Sequence, residues 1–184
     1  MPEDLEKRIE RLEFLLRTHQ HAGFDTTSIL KFQDWKQIGK IQLIAAATSM
    51  SIAIPQKSFL RIFIQWGAKS GVSNDFLRFN SDSGNNYTTT TGVSQAQIDL
   101  RNGANSALGA FAIIDVANNI ASQVKPAFIH TVNRITSAGT AIGSYELFAT
   151  WVNTAAFINS ISLLSSNSAT YPSSSSILIL SSKE

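Results

Sequence analysis

The chain contains no cysteine. Disulfides, thiolate metal sites and cysteine nucleophiles are therefore excluded, and any stability must come from packing or assembly. Charge is also scarce: Asp, Glu, Lys and Arg make up 15% of 184 residues, with a formal net charge of +2. Lys57, Arg61, Lys69 and Arg78 are scattered among apolar positions, so no basic surface for nucleic acid is expected. No run of apolar residues reaches the length of a bilayer span, and membrane insertion is not expected. The opening Met1-Pro2-Glu3-Asp4 is acidic and polar, unlike a secretory leader, which points to synthesis in a cytoplasm. Catalytic motifs are missing as well: there is no nucleophile elbow, phosphate-cradling loop or metalloprotease helix. Asp99, Asp115 and Glu146 could supply a carboxylate pair for sugar cleavage, but no spacing selects two of them. His130 alternates with apolar neighbours and reads as a surface or hydrogen-bonded core histidine, not a general base. The expectation is a protein that is not an enzyme.

What is present begins with residues 3–25. Leu5, Ile9, Leu12, Leu16 and His19 recur at steps of 4, 3, 4 and 3, an a/d seam with Ile9 and Leu16 at a. One chain cannot bury such a seam alone, so an oligomer is expected. Arg8-Ile9-Glu10-Arg11-Leu12-Glu13 resembles the R-h-x-x-h-E trimerisation motif of short three-stranded coiled coils. Arg8 at g would lie against Glu13 at e of the next helix, its stem covering the Ile9/Leu12 layer. An exposed pair of this kind contributes at most about 1 kcal/mol, so it selects the state more than it stabilises it. Fewer than three heptads are unstable alone, and something downstream must help hold the chains together.

His19-Gln20-His21-Ala22-Gly23 follows. Residues two apart share a face in extended chain but not in a helix. If the helix ends near Thr18 and the chain runs on along a three-fold axis, three subunits present six imidazoles, an octahedral set suited to iron, nickel or cobalt. With the coiled coil before it, this pattern resembles the HxH motif of bacteriophage tail fibres and related trimeric fibre proteins. The resemblance implies that His19 and His21 of three chains hold an axial iron ion.

From residue 41 onward β signals dominate. Strands are expected at 41–54 (one or two, ending at Pro55), 59–66, 75–80, 107–117, 124–136, 143–152, 156–164 and 175–182. Residues 24–40 read as a linker, with a helical turn near 28–35, and 81–92 as turn. In 59–66 both alternating faces are partly apolar, as in a sandwich strand. No internal repeat is visible. This count favours a mainly β, antiparallel two-sheet sandwich, most simply a jelly roll. The expected organisation is a trimeric coiled-coil helix at 1–18, a His-pair neck and linker at 19–40, and a β-sandwich head at 41–184.

Two further stretches resemble phage virion β-sandwich domains. Leu77-Arg78-Phe79-Asn80-Ser81-Asp82-Ser83-Gly84-Asn85-Asn86-Tyr87 is similar to their L-x-F-N-x-D-x-x-x-x-Y turn, and Trp151-Val152-Asn153-Thr154 begins a similar hairpin. Asn80, Asp82 and Asn85 can fold onto backbone amides in Asx-turns, with Tyr87 and Trp151 pinning the turn to the sandwich. The same oxygens would suit calcium, but the loop lacks the glycine and terminal acid of an EF-hand. Taken together, these resemblances imply a homotrimeric virion fibre or spike that is expected to attach to a host-surface saccharide. Exposed contacts are expected in loops 70–74, 81–91 and 102–107, with Tyr87, Asn85 and Asn86 as ligand contacts and Tyr87 stacking on the sugar. The alternative is a head fibre, decoration or baseplate protein that binds other virion proteins.

Overall fold

A computed structural model describes residues 35–90, 92–100, 108–118, 122–133 and 143–182. The heptad positions, both neck histidines and loop 102–107 lie outside the described residues. Twelve strands are formed within them: β1 (Trp35–Gln42), β2 (Ser49–Ala53), β3 (Phe59–Trp66), β4 (Asp75–Phe79), β5 (Tyr87–Thr89) and β6 (Gly92–Gln95), then β7 (Ile98–Asp99), β8 (Ala110–Ala117), β9 (Lys125–Asn133), β10 (Ser144–Trp151), β11 (Ser160–Ser165) and β12 (Ser176–Ser182). The described residues are mainly β, as expected, and β2 to β12 pair with one another antiparallel. No helix among the described residues is long and apolar enough to cross a membrane.

The strands form two sheets. One has eight strands in the order β1-β12-β3-β8-β9-β10-β5-β6, the other four in the order β2-β11-β4-β7. Setting aside the β5-β6 and β9-β10 hairpins leaves eight strands that pair as first–last–third–sixth and second–seventh–fourth–fifth. The two hairpins extend the larger sheet beyond β8. Local pairs thus alternate with pairings between distant parts of the chain.

Alternation places the core. On β3, Leu60, Ile62, Ile64 and Trp66 are buried, and on β8 so are Ala112, Ile114 and Val116. Ile177 and Ile179 of β12 join them, facing Leu77 and Phe79 of β4 and Ile161 and Leu163 of β11. Each such side chain contributes about 1.5–3 kcal/mol on leaving water. Two glycines allow close approach. A Cβ on Gly39 would press on Ile52 and Ile54 at 3.0 and 3.1 Å, and one on Gly109 would lie 2.6 Å from the Trp66 carbonyl oxygen.

Several boundaries differ from those expected. β1 begins at Trp35, so the stretch expected as linker to residue 40 ends within the large sheet. The apolar run 41–54 is not one strand. Leu43 to Thr48 turns between sheets, fixed by Leu43 N–H to the Ser175 carbonyl (2.9 Å) and an Ala47–Tyr171 bridge. The turn expected over 81–92 contains β5, because its Tyr87, Thr88 and Thr89 pair with Trp151, Thr150 and Ala149 of β10. Ile177 to Leu180 form a strand between β1 and β3, as expected of a closing strand.

Candidate functional site

Pairing fixes which loops share an end. The Leu43–Ser175 bond sets the finish of β1 beside the start of β12, and Ser181 of β12 lies opposite Leu60 of β3. β1 therefore begins at the end of the sandwich where β3 begins. That end also holds Asn118, whose N–H reaches the Ser58 carbonyl (2.7 Å), and Asn80, joined to 157–160. β4 runs from here to the opposite end, so loops 67–74 and 80–86 lie at opposite ends. Leu100 donates its N–H to the Asp75 carbonyl (2.9 Å), so β7 finishes at the end that carries 67–74. Of the expected contact loops that are described, 70–74 lies at one end and 81–91 starts from the other.

The turn after β4 is built around Asp82. Asn80 and Ser81 take left-handed φ values of 54° and 53°, which lets the chain reverse. Asp82 Oδ1 accepts the Gly84 N–H at 2.9 Å, an Asx-turn, as expected. Asn86 Nδ2 donates to Oδ2 at 2.9 Å, and Trp151 Nε1 donates to the same oxygen at 2.7 Å. Burial opposes ionisation of Asp82, but Trp151, Asn86, Gly84 and the charge of Arg78 outweigh it, so its pKa lies below the ordinary 3.8. Both carboxylate oxygens are thus occupied by protein donors, which favours the structural turn over a calcium site. Asn80 works at longer range: its Nδ2 donates to the Phe157 carbonyl (2.7 Å), and its Oδ1 accepts from the N–H of Asn159 (2.8 Å).

Tyr87 is not a surface aromatic. Its side chain is fully buried against Phe79, and its hydroxyl accepts the Phe79 N–H at 2.9 Å and donates to the Phe79 carbonyl at 3.2 Å. Burial raises its pKa. The expected stacking on a ligand is corrected here, because the phenol closes the core beneath the turn, whereas its expected pinning role is seen. Asn86 is committed to Asp82, and Asn85 stands exposed.

The opposite end is organised by a polar cluster that the sequence reading missed. Lys69 Nζ lies 2.8 Å from Asp75 Oδ1, with both side chains inaccessible to solvent. Nζ also donates to the Ser73 carbonyl (2.7 Å) and hydroxyl (2.6 Å) and sits 5.9 Å from the Tyr171 ring centroid. Tyr171 donates its hydroxyl to Asp75 Oδ1 at 3.0 Å, and the Ser73 and Ser165 hydroxyls are 2.8 Å apart. The loop after β3, the start of β4 and the loop after β11 are therefore tied to one ammonium group. Above it Ile44, Val72, Asn167 and Ser168 are exposed. Only the partnering of Lys69 with a carboxylate six residues on was visible locally; Tyr171 is joined by the fold alone.

The remaining candidates separate. Asp115 receives both Nε and Nη2 of Arg61, at 2.7 and 2.8 Å. This hydrogen bond raises the Arg61 pKa against the opposing effect of burial. Asp115 lies outward on its strand, as expected. Asp99 accepts from Asn74 Nδ2 (3.1 Å) in the other sheet, and Glu146 lies 3.4 Å from His130 Nδ1 across β9 and β10. Among the described residues no three His, Cys, Asp or Glu side chains gather as a metal group. No protein-family model and no curated protein matches the chain.

Proposed function

We propose that the chain is a homotrimeric bacteriophage virion protein that attaches to a saccharide on the host surface. The coiled-coil seam and axial His19/His21 iron site would join three jelly-roll heads. The two four-stranded pairing orders embedded in the sheets support the jelly-roll reading. The observation that carries the function is the polarity of the sandwich. β1 begins at one end, and the loops tied to Lys69 and Asp75 form the other. A loop surface held on a buried cluster is ordered before a ligand arrives, which reduces the entropic cost of binding. Three weak sites on one axis would gain avidity. The contact surface moves with this polarity from Tyr87, Asn85 and Asn86 to loops 67–74 and 166–175.

A second reading is favoured by one observation. Ile44 is 98% exposed and Val72 60% exposed at that same end, and such side chains suit contact with protein more than with sugar. A head fibre, decoration or baseplate protein would use them to dock on other virion proteins. Binding of the full chain to a glycan array tests the choice. Retention of a saccharide, lost on Val72→Glu in a folded trimer, is the expected result. Binding to assembled capsids or tails with no glycan retained would transfer the function to docking.

A further inference from the structure

The eight-stranded sheet has a second face, turned away from the core, and that face is apolar. Phe128 and Phe148 are directly opposed across β9 and β10, with ring centroids 5.1 Å apart and exposures of 37% and 60%. Phe63 and Phe111 stack at 6.2 Å on β3 and β8, and Phe111 is 38% exposed. Leu178 lies opposite Phe63 on β12. Two open concavities divide this face, one around Phe63, Phe111 and Leu178, the other around Phe128 and Phe148. Four aromatic rings on one exposed sheet face exceed what folding of the single chain requires.

We infer that this face is the contact between copies of the chain in the trimer, a deepening that rests on the trimeric reading above. Two features identify the occupant as another copy. The charged groups leave its aromatic centre clear: Arg61 holds Asp115 through two hydrogen bonds, Lys40 stands on the edge strand β1, and Glu146 lies 3.4 Å from His130. An arginine already paired with a carboxylate can be covered at lower desolvation cost than a lone one. The face is therefore suited to an apolar, near-neutral surface like itself. The chain upstream of β1, an edge strand of this sheet, carries the seam of Leu5, Ile9, Leu12 and Leu16, which likewise needs other copies. That seam is too short to hold three chains alone, and the aromatic face supplies the missing contact.

The absence of cysteine makes the test clean. In the full chain, Phe148→Cys is placed on the face and Ile44→Cys at the exposed loop end as a reference. Maleimide labelling of F148C under native conditions is expected to be at least about tenfold slower than that of I44C, with equal labelling after denaturation. Phe111→Glu with Phe148→Glu is expected to reduce the native mass below that of a trimer while leaving the β circular dichroism intact. A wild-type trimer in which F148C labels as fast as I44C, or a trimeric double variant, would overturn the interface and leave the attachment reading standing. A wild-type chain that is monomeric would overturn both.

Discussion

Lys69 and Asp75 meet at 2.8 Å with neither side chain reaching solvent, and Tyr171 completes the contact from nearly a hundred residues away. Removing one member of such a pair leaves an uncompensated buried charge, which costs about 3–5 kcal/mol. Asp75→Asn should lose stability on that scale in urea denaturation. Tyr171→Phe removes one hydrogen bond to a charged group and should lose about 1.5–3 kcal/mol. Wild-type stability in Asp75→Asn would mean that the cluster does not organise this end.

The Asp82 turn should be acid-sensitive. Donors from Trp151, Asn86 and Gly84, together with Arg78, hold its pKa below 3.8 despite burial. A depressed folded-state pKa contributes stability that is present above the unfolded value and is lost as pH falls through the folded one. Thermal midpoints of wild type and Asp82→Asn should therefore differ at pH 7 by the equivalent of about 1–2 kcal/mol and converge as the pH falls below 3.8 and through the lowered folded-state value. A difference independent of pH would show that the charge of Asp82 plays no part.

Tyr87→Phe separates a structural role from recognition. It removes the hydroxyl that both accepts from and donates to Phe79, and should cost about 1–2 kcal/mol with saccharide binding unchanged in the folded trimer. Lost binding at unaltered stability would return Tyr87 to the ligand site.

How far the fold could be read from the sequence depended on whether the signal was local. β3 was legible to the residue, because Leu60, Ile62, Ile64 and Trp66 alternate without interruption. β8 to β12 were legible to within a few residues for the same reason. β5 to β7 were not, because Thr, Ser, Gly and Gln dominate β5 and β6, β7 is only Ile98–Asp99, and their order comes from pairing with β10 and β4. β1 was obscured in another way: as an edge strand it buries little, and its pattern shows no clean alternation. The Asx-turn and the Tyr87 and Trp151 pins were readable because the motif is compact. The Lys69 cluster was not, since Tyr171 and Ser165 are brought to Asp75 and Ser73 from more than ninety residues away. The outward Phe63 was visible in the two-sided apolar pattern of 59–66, but its neighbours Phe111, Phe128 and Phe148 become one surface only through strand register.

The neck histidines carry their own test. If His19 and His21 hold one axial ion, elemental analysis should find one transition metal, expected to be iron, per three chains. Chelation or the His19→Ala, His21→Ala double variant should then lower the unfolding temperature, because an ion bound only by the assembled state stabilises it. A metal-free chain whose unfolding temperature ignores both treatments would retire the site.

The most direct measurement is the native mass of the full chain at micromolar concentration by light scattering. Three times the 20.0 kDa chain mass is the predicted result. A particle of a single chain mass, stable on dilution and still rich in β-structure, would contradict the account at its centre.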